Sequence, residues 1–177
     1  MEQCLFCNII AGKIPSYKVY EDDAFLAILD IHPANPGHIV LMPKAHIISI
    51  MDMPDALLSR FFSVSRVLAL AVLEFGAEGV NFLYSMGEAA GQRSPHMLMH
   101  IIPRYKNDKV RLIWEPRKFS EDEFKSQQQK ISGLIYKNVQ QHQQATQPVQ
   151  PQPRQQKEEE PKEKKIYHLE PFTGGYW

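Results

Sequence analysis

The sequence predicts one domain of mixed helices and strands, followed by a C-terminal extension of different composition. Three observations support this prediction. Short apolar runs bounded by polar turns are typical of β-strands, and one much longer segment repeats its apolar residues at helical spacing. A region dominated by Gln, Pro, Glu and Lys then follows, and it contains too little apolar surface to offset the entropy of ordering it.

Each element follows from a local pattern. A helical turn near the N-terminus ends at Gly12, and Pro15 prevents its continuation. Apolar runs separated by turn residues predict five strands, at residues 17–20, 24–30, 38–42, 80–84 and 96–103.

The long helical pattern covers residues 54–75. Pro54 suits the first turn of a helix and Gly76 suits its end, so this segment is predicted to be a core helix. A second helix is predicted at residues 121–140, because the segment from Ser120 to Glu123 resembles a capping box.

Composition and charge narrow the classes of function. A chain of 177 residues with 44% hydrophobic content can form one domain with a proper core. Its formal net charge of zero argues against nucleic-acid binding. No segment is expected to span a membrane and no secretory signal pattern is seen, so a cytoplasmic protein is expected.

Four parts are predicted along the chain: a folded domain at 1–110, a helical extension at 111–140, a disordered linker at 141–165 and an aromatic terminal peptide at 166–177. The segment from Ile166 to Trp177 is interpreted as a docking peptide for this domain or for a protein partner. The alternative is a terminus without a binding role.

Two histidines and a leucine form the most informative pattern in the chain. Side chains two apart in an extended strand share one face, so His96, Leu98 and His100 point one way, while Met97 and Met99 point the other. The simpler alternative is that each is an ordinary strand histidine, partly buried and with its hydrogen bonds satisfied. The Gly-Gln turn before the histidines favours a functional site.

This stretch is similar to the signature of the histidine triad (HIT) superfamily, in which His-x-His-x-His follows an Ala-Gly-Gln turn and leads into Ile-Pro-Arg. The pattern falls on Ala90-Gly91-Gln92, His96, His100 and Ile102-Pro103-Arg104. The middle histidine, which in the family attacks the α-phosphorus of a nucleotide, falls on Leu98. Leucine has no lone pair and cannot form a phosphoramidate, so this route of covalent catalysis is closed to the chain.

Further blocks within residues 4–105 resemble the same family, among them Cys4-Leu5-Phe6-Cys7, Pro36-Gly37-His38 and Pro43-Lys44-Ala45-His46. The resemblance implies an α+β fold in which a five-stranded, mostly antiparallel sheet carries one long packed helix, with the C-terminal helix and disordered tail added. It also implies a homodimer with one purine-nucleotide pocket in each subunit.

The resemblance also implies roles for particular residues. Asp30 falls where the family holds ribose hydroxyls, which suits a carboxylate because it accepts hydrogen bonds; a strand-end Asp that starts a turn is the alternative. Ser85 falls near the phosphates, and Arg93 could add a phosphate contact. His100 would be the acid, base or phosphate contact. The implied nucleotide-binding set is Asp30, Ser85, Gly91, Gln92, Arg93 and His100.

The two cysteines, Cys4 and Cys7, have the spacing of a chelating or redox pair. A redox pair would follow a strand at the head of a helix, and no strand is predicted before them, so a metal pair is favoured, with free thiols as the other alternative. Zinc-bearing members of the resembled family place two further ligands where this chain has His46 and His96. A structural zinc ion held by these four residues is therefore implied.

The sequence is compatible with three functions. The first is a purine-nucleotide-binding protein that has lost the nucleophilic step and acts by binding a nucleotide or a nucleotide phosphate ester. The second is a slow hydrolase of nucleotide phosphoramidates or dinucleoside polyphosphates, in which water attacks directly and His96 or His100 is the acid or base; if zinc binds His96, only His100 is left for that role. The third is a structural adaptor that works through the C-terminal tail.

Overall fold

The computed structural model describes residues 4–145 of the chain. One compact unit ends at Trp114, and a second begins at Glu115. Short 3₁₀ turns lie at Ile50–Asp52 and Glu88–Ala90. The main elements of the described residues, in order, are α1 (Leu5–Ile10), β1 (Lys18–Glu21), β2 (Phe25–Leu29), β3 (Ile39–Pro43), α2 (Asp55–Glu74), β4 (Gly79–Tyr84), β5 (Met99–Arg104) and α3 (Glu121–Ala145).

The five strands form one sheet in the order β1-β2-β3-β5-β4, and every neighbouring pair is antiparallel. β3 is therefore central and β4 lies at an edge. Val40 of β3 pairs with His100 of β5, and Leu29 of β2 pairs with Ile39 of β3. This register brings the loop before β3 next to His100. The predicted α+β fold with a five-stranded antiparallel sheet is confirmed.

The two faces of the sheet bury different residues. On one face, α2 packs over β4 and β5 and contributes Phe61, Val64, Leu68 and Val72 at helical spacing. The alternating residues Met97, Met99 and Ile101 belong to that same core. On the other face, α1 covers a smaller cluster that contains Leu26, Ile28, Val40 and Met42, with Phe6 and Leu98 packed against it.

Contrary to the expectation from the sequence, α2 has the length and apolar composition of a membrane span. The reason is that both of its sides carry apolar residues. One side lies in the core, while Phe62, Val67, Leu70 and Leu73 on the other side are exposed. The buried residues on the core side of α2 confirm that this helix packs on the sheet.

Two predicted boundaries differ from the structure by three residues or more. β5 begins at Met99 rather than at residue 96, because the N–H of Met97 donates to the carbonyl oxygen of Ile47, at 2.7 Å, instead of joining the ladder. α3 continues to Ala145, five residues beyond its predicted end, since glutamine is a good helix former. The rest of the predicted linker and the aromatic peptide at 166–177 lie outside the described residues.

Candidate functional site

Two cysteines and two histidines meet beside α1. Cys4 precedes α1 and Cys7 lies one turn later, so the helical turn brings both sulfurs to one side. The Sγ atom of Cys4 lies 3.7 Å from Nδ1 of His96. The Sγ atom of Cys7 lies 3.1 Å from Nδ1 of His46 and 3.7 Å from Nδ1 of His96. Tetrahedral zinc places sulfur and nitrogen ligands about 3.5 Å apart, so the donor set and its spacing are compatible with zinc.

The protonation of His96 suits a metal ligand. Its Nε2 lies 2.9 Å from the carbonyl oxygen of Pro43, so Nε2 carries the hydrogen and Nδ1 presents a lone pair to the cysteines. Burial lowers the pKa of His96, which favours the neutral ring. Burial and the side chain of Cys4 raise the pKa of Cys7. A divalent cation would oppose that rise, because it binds the thiolate and displaces the proton.

A cleft of about 590 Å³ opens next to this cluster. Leu5 and Phe6 of α1 form part of its apolar wall, and His96 contributes to both the cleft and the Cys/His cluster. Six further residues with predicted roles line the cleft: Ser85, Gly91, Gln92, Arg93, Leu98 and His100. Leu98 thus lies on the cleft side of the chain together with His100, as the alternation predicted.

The loop between β4 and the β5 segment is held by the side chain of Gln92. Its Nε2 donates to the carbonyl oxygens of Ile48, at 2.9 Å, and Ser94, at 3.1 Å. Its Oε1 accepts from the N–H of Gly87 at 2.7 Å. Both amide hydrogens are used, so Gln92 shapes this loop rather than offering a free donor. Gly91, with φ of +89°, adopts the left-handed conformation that glycine allows at no steric cost.

Asp30, His38 and His100 form a second group, whose ligand-capable atoms lie within 4.8 Å of one another. Nε2 of His38 lies 3.0 Å from Nδ1 of His100. One carboxylate oxygen of Asp30 lies 3.7 Å from Nδ1 of each histidine. Burial lowers the pKa of both histidines and outweighs the opposing effect of the Asp30 charge, so both rings are neutral at neutral pH.

The four predicted metal ligands come together, and the predicted nucleotide-binding residues other than Asp30 share the cleft. Asp30 does not line the cleft, and one of its carboxylate oxygens lies 3.7 Å from Nδ1 of both His38 and His100. Sequence reasoning left His38 out of the predicted set. The sequence feature that could have identified His38 was its position in Pro36-Gly37-His38, directly before β3. That position matters because β3 pairs with the strand that carries His100.

Comparisons with known proteins agree with this arrangement. Residues 11–107 match the family model described as HIT domain. The chain is 43% identical over 141 residues to "Protein hit" of Bacillus subtilis, which covers 78% of this chain and 95% of that protein.

Two solved structures are similar in both fold and sequence. One is a Zn-bound histidine triad family protein from Mycobacterium smegmatis, with 35% identity, a TM-score of 0.59, and coverage of 66% of this chain and 85% of that chain. The other is a histidine triad nucleotide-binding protein from Candida albicans, with 28% identity, a TM-score of 0.68, and coverage of 76% and 99%. Since the domain model matches more than half of the residues and the Bacillus relative is covered almost from end to end, this chain belongs to the HIT family.

Proposed function

We propose that this chain is a cytoplasmic, purine-nucleotide-binding HIT protein that acts by binding and not by nucleotidyl transfer. The observation that carries the proposal is the place of Leu98, which lines the cleft next to His100 where the family pattern has its nucleophilic histidine. An aliphatic side chain contributes apolar contact at that position and cannot form a bond to phosphorus. Loss of an essential nucleophile leaves only positioning and electrostatic effects.

In this proposal the phosphate ester lies at the polar end of the cleft. Arg93 is exposed and supplies a guanidinium, which suits phosphate because it donates several hydrogen bonds in a fixed plane. His100 supplies a ring N–H, and the hydroxyl of Ser85 a further donor. Phe6 offers an aromatic surface for the base, as purines stack on such rings. Asp30 would accept hydrogen bonds from ribose hydroxyls.

Zinc has a structural role in the proposal. Cys4, Cys7, His46 and His96 would fill all four tetrahedral positions, which leaves none open for a substrate or an activated water molecule. The bound ion would therefore stabilise the fold and supply no Lewis acid to the cleft. It would tie α1 to the loop after β3 and to the segment before β5, and so fix the wall that contains Leu5 and Phe6.

The homodimer is also part of the proposal. β4 is an edge strand with unpaired backbone groups, and Phe82 on it is 49% exposed. The exposed side of α2 is adjacent, and a groove lined by Phe62, Leu70, Leu73 and Phe82 joins the two elements. Pairing of β4 with its copy in a second subunit would satisfy the edge and cover this apolar surface.

Calorimetric titration with adenosine monophosphate, run beside a turnover assay with an adenosine phosphoramidate, tests the proposal. We expect saturable binding and no turnover. Arg93→Ala should weaken binding about tenfold, as expected for the loss of a charge-assisted contact. Arg117→Ala, which removes an exposed guanidinium that does not line the cleft, should leave it unchanged. Failure of the wild-type protein to bind the nucleotide would overturn the proposal.

The slow-hydrolase alternative depends on His100, which lies in the cleft outside the Cys/His cluster and is free to transfer a proton. Turnover that His100→Ala abolishes would favour it. The adaptor function assigned to residues 166–177 lies outside the described residues and stays a prediction. Deletion of those residues with loss of binding to a partner protein would support it.

A further inference from the structure

Two methionines in the described part of the chain are open to solvent. Met51 is 77% exposed and Met86 is 48% exposed. The other described methionines are at most 6% exposed and lie in the core, namely Met42, Met53, Met97 and Met99. A dissolved oxidant must reach the sulfur of a thioether in order to oxidise it, so the described residues offer two accessible sites, Met51 and Met86.

The sulfur of Met86 has a hydrogen-bond partner beside the cleft. The hydroxyl of Ser49 donates its only hydrogen to Sδ of Met86, at a distance of 3.2 Å, and accepts from the N–H of Met51 at 3.0 Å. An oxygen added to the sulfur on the side of this hydroxyl would need a distance of about 2.7 Å from Oγ. The sulfur would then have to move away from Ser49.

This contact is one of three hydrogen bonds that join residues 48–50 to the end of β4 and the loop after it. The N–H of Ile50 donates to the hydroxyl oxygen of Tyr84 at 2.8 Å. Nε2 of Gln92 donates to the carbonyl oxygen of Ile48 at 2.9 Å. The three bonds fix the position of the loop between β4 and the β5 segment.

The same loop supplies two polar residues to the cleft. Ser85 directly precedes Met86, and Arg93 directly follows Gln92. Both line the cleft, and the proposed function assigns both of them to the phosphate. A displacement of Met86 therefore reaches Ser85 through the backbone, and a loosened loop no longer holds Arg93 in place.

We infer that Met86 is a modification site for hydroperoxides, and that its conversion to the sulfoxide loosens this loop and weakens nucleotide binding. A lone pair of Sδ attacks one oxygen of hydrogen peroxide, so that the S–O bond forms while the O–O bond breaks. The departing hydroxide takes the proton of the transferred oxygen and leaves as water. The sulfur is oxidised by two electrons and the peroxide is reduced. The effect on the ligand rests on the proposed nucleotide-binding function, whereas the modification itself does not.

Peptide mass spectrometry of the full chain during treatment with hydrogen peroxide tests the modification. Oxidised thiols are then reduced with dithiothreitol, which leaves sulfoxides intact. We expect Met86 and Met51 to react at least ~10-fold faster than Met42 and Met97, because a buried sulfur reacts only after local opening. Equal rates at Met86 and at the buried positions would overturn the inference.

Hydrogen exchange of residues 85–94 in the ligand-free protein tests the effect on the loop. Exchange should become faster after oxidation of the wild type, because the loop opens more readily. It should stay the same in Met86→Leu, which has similar bulk and no sulfur. Unchanged exchange in wild-type protein that is fully oxidised at Met86 would overturn the inference.

Calorimetric titration with adenosine monophosphate tests the consequence for the ligand. Oxidation should weaken binding about fivefold in the wild type and in the control Met51→Leu, and should leave Met86→Leu unchanged. Treatment with both classes of methionine sulfoxide reductase should restore the affinity. An equal loss in Met86→Leu would overturn the inference. A wild-type protein that binds no nucleotide before oxidation would overturn the proposed function, while the oxidation of Met86 and the loosened loop would stand.

Discussion

His96 donates from Nε2 to the carbonyl oxygen of Pro43 and thereby turns Nδ1 towards both cysteines. Pro43 is the last residue of β3, and His46 follows it after two residues. The end of β3 therefore orients the imidazole of His96 and also places His46 in the cluster. A ring held in this way is ready to bind a cation without first changing its tautomer.

Cys4→Ser should remove the metal and lower stability. Serine is a poor ligand for zinc, so we expect the metal content of purified protein to fall from about one ion per chain to near zero. The melting temperature should fall with it, because metal binding to the folded state stabilises that state. Elemental analysis and calorimetry measure the two effects. His32→Ala provides the control, and unchanged metal content and melting in Cys4→Ser would contradict the zinc site.

Leu98→His should restore covalent chemistry. The new imidazole would lie in the cleft beside His100, and recovery of a missing nucleophile is expected to raise turnover of an adenosine phosphoramidate at least ~100-fold. Mass spectrometry of the quenched reaction should detect an adenylylated chain. Leu83→His, which places an imidazole elsewhere on the cleft wall, is the matched control. Absence of any gain would mean that the rest of the cleft is not competent for the reaction.

Stability should fall as the pH decreases below neutral. Burial lowers the pKa of His38 and His100 from the ordinary value of 6.5. The unfolded chain therefore takes up protons at a higher pH than the folded chain, so the contribution of these rings is complete above about pH 6.5 and is lost as the pH falls through their folded pKa values. Denaturant midpoints measured from about pH 7.5 to about pH 5 should show this slope.

The same pH series in His38→Gln should give a shallower slope, because one buried titrating ring is gone. His32→Gln removes an exposed ring and should follow the wild type. Parallel slopes in all three proteins would show that His38 does not contribute to the acid sensitivity.

Phe82→Asp should convert the proposed dimer to a monomer. A charge at this exposed position of β4 would be buried against the apolar side of α2 from the partner or within the paired edge, which is costly without a compensating charge. Light scattering on a sizing column measures the mass. Met51→Asp alters a residue that is 77% exposed and should keep the dimer. A monomeric wild-type protein would contradict the proposed assembly.

Local pattern was sufficient for these strands and helices: β2 and β3 are continuous apolar runs between turns, α2 repeats its apolar residues at helical spacing, and α3 begins at a capping box. The alternation from His96 to Ile101 predicted which side chains face the cleft even though β5 begins only at Met99. The predicted start of β5 was wrong because the true start depends on the hydrogen bond from the N–H of Met97 to Ile47, which is far away in sequence. Local periodicity contains no information about such a partner.

The same limit applies to the site. The pairing of His38 with His100 depends on the register between β3 and β5, and the use of the Gln92 amide depends on the carbonyl of Ile48. Neither relationship leaves a local pattern in the sequence. The Cys/His cluster was predictable because the Cys-x-x-Cys spacing is local and the family resemblance supplied His46 and His96.

Leu5 and Phe6 lie between the two cysteines in the chain and also line the cleft. Substitution of these two side chains is therefore a way to change the ligand preference of the cleft. Insertion or deletion of a single residue there would instead shift Cys4 relative to Cys7 by one helical position. Directed evolution of the cleft wall should therefore be limited to substitutions at fixed length.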